Sequence, residues 1–324
     1  MDIGFKKQML FDLLLDGVQL EGESVLKVRV GSSASEQLQT NEVFSEKWEK
    51  AANSDDKAIA WEYQKKWYLR LYGFESEEEF SAFLKTKKVI FDAGCGLGYK
   101  AAWFAELSPE SLVIAMDYSE AVFNASETYS SFSNICFIQG DIAATVFKTG
   151  SIDYVSCDQV IMHTQDPDKT FAELSRVTSA DGEFACYFYA KKALPRELVD
   201  DYFRHKCRDM SSEELWEMSE QLTELGKRLS ELNVSFQSPA IPALGIKAGK
   251  YDIQRFVYWN FLKCFWNEGL GWENSLSCNF DWYSPSNARR FSKEEIIVLA
   301  ESNHLTGVLF HSEEACYSGR WKKK

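Results

Sequence analysis

The sequence predicts an α/β protein built on a doubly wound, mostly parallel sheet. Three observations carry that reading. An apolar run ends in a glycine loop, "KKVIFDAGCGLG"; strand-like and helix-like segments alternate from residue 88 to about 190; and the same rhythm returns after residue 290. Short, fully apolar strands belong to sheets covered by helices on both faces.

The elements follow in order. "KKVIFDAG" reads as a strand and "YKAAWFAEL" as the helix behind it. "SLVIAMD" is a second strand, "SEAVFNASETYSS" a helix, and "NICFIQGD" a third strand. "SIDYVSCD" is the fourth strand, "DKTFAELSRVTS" its helix and "GEFACYFYA" the fifth strand. "SKEEIIVLAESNHL" gives a last helix, and "TGVLFHSEEACYSGRWK" two strands of a closing hairpin. Before this core, residues 1–87 read as an N-terminal helical arm, with "NEVFSEKWEK" and "AIAWEYQKKWYLRLYGF" as amphipathic helices. Residues 88–190 and 291–324 form the core. Residues 191–290 form an inserted helical and aromatic lid, near the strand ends where such sheets bind ligands. Within the lid, Leu215, Met218, Leu222, Leu225, Leu229 and Leu232 make a seam of alternating threes and fours, and Ser211 with Glu214 makes a capping box. Packing of this helix on the body is the favoured reading of the seam; a homodimer is left open.

Composition narrows the function. The net charge of −13 argues against a nucleic-acid partner, because phosphate binding needs clustered Lys and Arg. The basic run Arg320–Lys324 reads as a solvated end. No segment is long and apolar enough to span a bilayer, and "MLFDLLL" is too short and too charged for a secretory signal. The cysteines, at 95, 136, 157, 186, 207, 264, 278 and 316, form no CxxC pair. Reduced thiols in a cytoplasmic protein fit better than a zinc site or disulfides, and the sequons at Asn124 and Asn233 are read as chance. No metal is expected.

The glycine loop is where the chemistry lies. Gly94, Gly96 and Gly98 alternate, so the third glycine comes one residue too early for a dinucleotide loop, and no Gly-Lys-Ser/Thr follows as in a P-loop. Bare backbone at every second position suits a flat, uncharged ligand. Asp117, at the end of the next strand, suits a ribose diol and repels a phosphorylated one. Gly140-Asp141-Ile142, after the third strand, offers a carboxylate to an adenine amine. The ligand reads as adenosine-like and without phosphate.

In this order and spacing, "VIFDAGCGLG", "VIAMDYS", "IQGDI" and "IDYVSCDQVIMHT" resemble the motifs of class I S-adenosylmethionine-dependent methyltransferases. The likeness covers roughly residues 85–190, and the closing "FSKEEIIVLAESNHLTGVLF" is in the same style. It implies a Rossmann-like sheet of seven strands with an antiparallel last strand, and S-adenosylmethionine as cofactor, leaving S-adenosylhomocysteine as product. It also implies that Gly94, Cys95 and Gly96 line the methionyl and ribose part, and that Asp117 holds the ribose with Tyr118 beside the adenine. By the same resemblance Asp141 and Ile142 read the adenine edge, Asp158 and Gln159 face the sulfonium end, and Asp92 orients the amino group. "DWYSP" bears a looser likeness to a stretch before the closing helix of bacterial methyltransferases related to the ubiquinone-biosynthesis type, which carries no substrate with it.

Methyl transfer needs alignment above all, and a base only where the acceptor must lose a proton. His163, after the fourth strand, is the candidate base; its competing reading is a loop histidine bonded to backbone. His205, His304 and His311 are read as structural or exposed. Tyr258, Trp259, Trp282 and Tyr283 are the candidate acceptor-binding residues, drawn from "RFVYWNFLKCFWN" and "NFDWYSP". Aromatic walls suit a flat or apolar acceptor and also stabilise a cation. The leading expectation is a small-molecule O-, N- or C-methyltransferase. A protein or peptide methyltransferase and a non-catalytic binder of the cofactor are the alternatives, with a dehydrogenase on the same sheet the least favoured.

Overall fold

The structure is a computed structural model and describes residues 3–28, 34–54 and 57–323, with side chains from residue 8 onward. The chain begins with α1 (Ile3–Asp12), β1 (Val25–Lys27), α2 (Ser35–Ala52), α3 (Lys57–Tyr72) and α4 (Glu77–Leu84). The alternating segment supplies β2 (Val89–Ala93), α5 (Tyr99–Leu107), β3 (Leu112–Asp117), α6 (Ala121–Thr128), β4 (Ile135–Gln139), β5 (Ile152–Cys157), α7 (Pro167–Val177) and β6 (Thr178–Tyr189). Next come α8 (Leu194–Cys207), α9 (Ser212–Glu231), β7 (Ser235–Ser238), β8 (Gly249–Asp252), α10 (Ile253–Asn260) and α11 (Gly271–Tyr283). The last elements are α12 (Lys293–Ser302), β9 (Leu305–Ser312) and β10 (Cys316–Lys323). The chain divides into two compact units. One takes the described residues up to 35, 63–189 and 289 onward; the other takes 36–62 and 190–288.

The first unit is organised by one sheet in the order β1-β4-β3-β2-β5-β6-β10-β9. The strands β1 to β6 run parallel, while β10 lies antiparallel between β6 and β9. The central strands are buried on both faces: Ile90, Phe91, Val113, Ile114, Tyr154, Val155 and Phe184 are all fully covered. Burial of each such side chain contributes about 1.5–3 kcal/mol, which explains why these strands read as continuous apolar runs. From β2 the chain winds outward through β3 to β4, then returns to lay β5 on the other side of β2. The strand order therefore reverses at the β2–β5 edge, and the loops following both strands meet at that switch point.

In this unit two expectations change. The sheet has eight strands, because Val25–Lys27 pairs in parallel with Phe137–Gln139 and buries Val25 and Leu26. Three residues are too few to show a period, so this strand was not legible within the arm. The basic run at the C-terminus is also not a solvated end. Arg320–Lys323 belongs to β10, where Trp321 is buried and both Arg320 and Lys322 pair with Glu183 of β6 at 2.9 and 3.3 Å. Lys324 lies outside the described residues.

In the second unit, α9 carries the predicted capping box between Ser211 and Glu214. Its buried face differs from the leucine seam. Leu215, Trp216, Ser219, Thr223 and Gly226 are covered, whereas Leu225 and Leu232 are exposed. The small residues are there for close approach: a Cβ at Gly226 would lie 2.4 Å from the Cys264 carbonyl oxygen. Trp216 stacks on Phe280 of α11 with centroids 3.7 Å apart, and Asn279 donates to the Thr223 hydroxyl at 2.8 Å.

Candidate functional site

The loop after β2 is tied down by backbone bonds. Gly94 and Cys95 donate N–H groups to the Met116 carbonyl at 2.8 and 3.0 Å, and Gly98 N–H reaches the Cys95 carbonyl at 2.8 Å. Gly94, Gly96 and Gly98 all have positive φ, at 86°, 51° and 74°. At Gly94 the requirement is double, since a Cβ would also meet the Val160 methyls at 2.5 Å. Gly98 starts α5 without a side-chain cap.

Asp117 ends β3 and faces this loop. Its Oδ2 accepts the Gly96 N–H at 2.7 Å, and its Oδ1 accepts both the N–H and the hydroxyl of Ser119 at 2.8 and 2.6 Å. The carboxylate is thereby fixed in direction while it stays half-buried. Tyr118 beside it is also half-buried. Asp141, just past β4, accepts the Ala143 N–H at 2.8 Å, and Ile142 is buried next to it.

Below the loop lies a cluster of charge that local motifs do not show. Asp92 on β2 is buried with Oδ2 unpartnered. Its pKa is pushed from the ordinary 3.8 to about 7, first by burial and then by the nearby Asp158 and Asp117 carboxylates, against the pull of Lys100. Asp158 follows β5. It takes the Lys100 ammonium on Oδ2 at 2.7 Å, the Tyr72 hydroxyl on Oδ1 at 2.9 Å, and the Gln159 amide at 3.1 Å. Burial alone would lower the pKa of Lys100, but the Asp158 charge more than offsets it and the ammonium is held. Gln159 adopts φ 64°, unusual for a residue with a side chain, and its amide also donates to Gln64 at 2.8 Å. Tyr68 bonds the Tyr154 hydroxyl at 2.6 Å and the Ser156 hydroxyl at 2.9 Å, extending the polar file under the site.

His163 closes a short 3-10 turn, Ile161–His163, and is buried. Its ring meets Tyr189 edge-on at 5.4 Å; Tyr189 meets Tyr187 at 6.0 Å, and Tyr187 meets Trp67 at 5.7 Å. The other histidines lie elsewhere: His205 and His304 are exposed, and His311 sits 3.2 Å from Glu313.

The second unit gathers the four aromatic candidates around an ion pair. Arg196 and Asp200, one turn apart on α8, are both fully buried, with Nε 2.8 Å from each carboxylate oxygen. Asp200 also accepts the Trp282 indole N–H at 2.8 Å and the Tyr283 hydroxyl at 2.7 Å. Arg196 Nη1 donates to the Tyr258 carbonyl, and Trp259 packs on Tyr258 at 4.4 Å. Burial, then the neighbouring Asp200 charge, raises the Tyr283 pKa, so its hydroxyl stays a donor.

Sequence reasoning missed Lys100, Tyr68, Tyr72 and the Arg196–Asp200 pair. Lys100 had one available signal, a lysine immediately before the apolar run Ala101–Ala105 of its helix. The others had none, since they are joined only by tertiary packing. Among the described residues no group of three or more His, Cys, Asp or Glu is placed to hold a metal ion, and none of the eight cysteines is in a disulfide. No helix among the described residues is long and apolar enough to cross a membrane.

Comparison with known proteins gives these features a context. A family model described as "Methyltransferase domain" matches residues 84–253, just over half of the chain. An uncharacterised methyltransferase of Schizosaccharomyces pombe is 30% identical over 113 residues, 32% of this chain and 41% of that protein. The demethylmenaquinone methyltransferase of Lactococcus lactis is 29% identical over 125 residues, 36% of this chain and 48% of that protein. The chain thus spans less than half the length of either relative. In fold it is similar to PKMT2 from Rickettsia typhi in complex with AdoHcy, at 16% identity and TM-score 0.51, covering 74% of this chain and 50% of that one.

Proposed function

The chain belongs to the methyltransferase-domain family, and from that premise we propose that it transfers a methyl group from S-adenosylmethionine to a small-molecule acceptor. The observation that carries the reading is the glycine loop bonded through Gly96 to a fixed Asp117, above a buried Asp92 whose second oxygen has no partner. These residues fit the cofactor. Bare backbone at Gly94 and Gly96 accommodates a flat nucleoside, Asp117 Oδ2 retains a lone pair for a ribose hydroxyl, and the unpartnered Asp92 oxygen suits a cationic amino group.

When bound, S-adenosylmethionine supplies an activated methyl group on a sulfonium sulfur. The chain's own residues position and desolvate. Cys95 lines the loop, Tyr118 and Ile142 cover the base, and Asp141 accepts from its amine. Asp158 is already neutralised by Lys100, so it acts on the sulfonium end by holding Lys100 and Gln159 in place. His163, buried against Tyr189, takes a proton from an acceptor hydroxyl or ammonium. Tyr258, Trp259, Trp282 and Tyr283 bind the acceptor.

The name of the Lactococcus relative, which specifies a quinone-type acceptor, supports a small molecule. The test is incubation with methyl-labelled S-adenosylmethionine and cell extract separated by size. Label in the small-molecule fraction is the expected result. Label only in macromolecules would transfer the assignment to a protein or peptide acceptor. Tight binding of S-adenosylhomocysteine with no transfer to either fraction would make the chain a cofactor-binding protein.

A further inference from the structure

Four cations lie within 6 Å of the centre of the Trp282 ring: Lys263 at 4.7 Å, Arg196 at 5.2 Å, and Lys192 and Arg204 at 5.9 Å each. All five residues belong to the second unit. In a chain of net charge −13 such a concentration calls for a reason. Asp200 is the carboxylate at its centre, and it is shared by Arg196, Trp282 and Tyr283. Arg204 lies 3.9 Å from Asp201. Among the described residues Lys263 has no carboxylate partner. It is 5% exposed, its ammonium reaches only the Tyr258 hydroxyl at 3.4 Å, and it also lies over the Tyr258 and Phe265 rings at 5.3 and 5.4 Å.

Arg196 is similarly incomplete. Its Nε faces Asp200 and its Nη1 serves the Tyr258 carbonyl, but Nη2 is buried without a partner. Leaving a buried charged donor unmade costs more than a bond to it would contribute. Between Arg196, Lys263 and Asp200 the sum is one positive charge, and the buried Arg204 adds to the positive excess. The faces of Tyr258 and Trp282 are already taken by the protein's own cations, so they cannot serve a cationic acceptor in the way aromatic walls often do. Trp259 and Lys192, 5.5 Å apart, are half-buried, so the group borders solvent on that side.

We propose that this cluster is an anion site that takes the carboxylate of a flat, unsaturated acceptor, bound by Arg196 Nη2 and the Lys263 ammonium with its ring beside the half-buried Trp259. The proposal deepens the small-molecule reading and rests on it for the identification of the ligand as an acceptor. A carboxylate supplies negative charge where the buried cations outnumber Asp200. The planar guanidinium fixes its orientation and Lys263 adds a point charge.

The test uses the full chain and calorimetric titration with benzoate, cinnamate and indole-3-acetate, each beside its neutral amide. At least one carboxylate should bind saturably and ten times more tightly than its amide. Lys263→Met should weaken it at least tenfold with unchanged affinity for S-adenosylhomocysteine. Because Arg196→Gln alone would leave the buried Asp200 without its cation, the paired variant Arg196→Gln/Asp200→Asn is used, and it should lose the preference for carboxylate over amide. If no carboxylate outbinds its amide, or Lys263→Met binds as tightly as the parent, the anion site is refuted. Failure of the parent to bind S-adenosylhomocysteine would instead sink the methyltransferase reading, whatever the carboxylates do.

Discussion

Lys100 and Asp158 form a buried ion pair, 2.7 Å apart, between the helix that follows the glycine loop and the loop that follows β5. Their side chains are 8% and 2% exposed, so each charge relies on the other and on Tyr72 and Gln159 in place of water. The pair joins the two loops of the switch point from beneath.

Removing one member strands the other. Lys100→Met is expected to destabilise the protein by about 3–5 kcal/mol, as uncompensated buried charges do. The double variant Lys100→Met/Asp158→Asn should recover at least half of that loss in urea unfolding. A single-variant loss below about 1 kcal/mol would show that water reaches the pair.

Asp92 gives a pH dependence with a definite sign. Its folded pKa, about 7, lies above its ordinary 3.8, so between those values the folded chain keeps a proton that the unfolded chain has released. Its contribution to stability is complete below about pH 4, declines as pH rises, and is lost above about pH 7. Asp92→Asn should therefore match the parent at pH 4 and exceed it at pH 8, by on the order of 1–3 kcal/mol. Affinity for S-adenosylhomocysteine should rise from pH 5 to 8 in the parent and stay flat in the variant. A variant less stable than the parent at pH 8 would overturn this account.

Gly94→Ala meets both a positive φ and the Val160 methyls. A loss of about 2–4 kcal/mol in stability and of at least tenfold in S-adenosylhomocysteine affinity is expected. Val160→Ala in the same chain should recover only part of it, because the backbone strain remains. Full recovery would mean that sterics alone decide.

His163→Ala should leave S-adenosylhomocysteine affinity within about twofold while turnover of a protonated acceptor falls by about 10² or more. Measured at saturating S-adenosylmethionine, where the Asp92 effect on binding drops out, the acid limb of the parent's pH–rate profile should disappear with it. Normal turnover in the variant would return His163 to a packing role against Tyr189.

On α9 the exposed leucines and the buried glycine should respond oppositely. Leu225→Lys and Leu232→Lys should each shift stability by less than about 0.5 kcal/mol. Gly226→Ala should cost about 1–3 kcal/mol, because the helix must move off the Cys264 carbonyl. If Leu232→Lys proved costly at micromolar protein and harmless on dilution, the seam would be a self-association surface.

The core was readable because its signals are local. A strand buried on both faces must be apolar throughout, and a loop with three positive-φ positions admits glycine, so "KKVIFDAGCGLG" announces both at once. The carboxylates Asp92, Asp117, Asp141 and Asp158 sit at or just past strand ends, where the strand pattern itself locates them. The face of α9 was misread for a related reason: a seam of leucines marks an apolar stripe, but close approach of backbone selected Ser219, Thr223 and Gly226 instead. The strand Val25–Lys27 and the burial of Trp321 were hidden because pairing with a distant strand leaves no period in three to five residues. Lys100 against Asp158 spans 58 positions and Arg196 against Tyr258 spans 62. What the amino-acid sequence determined by itself was the sheet, its glycine loop and the carboxylates along its edge. Only the tertiary structure decided which charges are buried, which are paired, and which donors, like Arg196 Nη2, are left without a partner, because the cost of a buried charge depends on neighbours brought together by folding rather than by sequence.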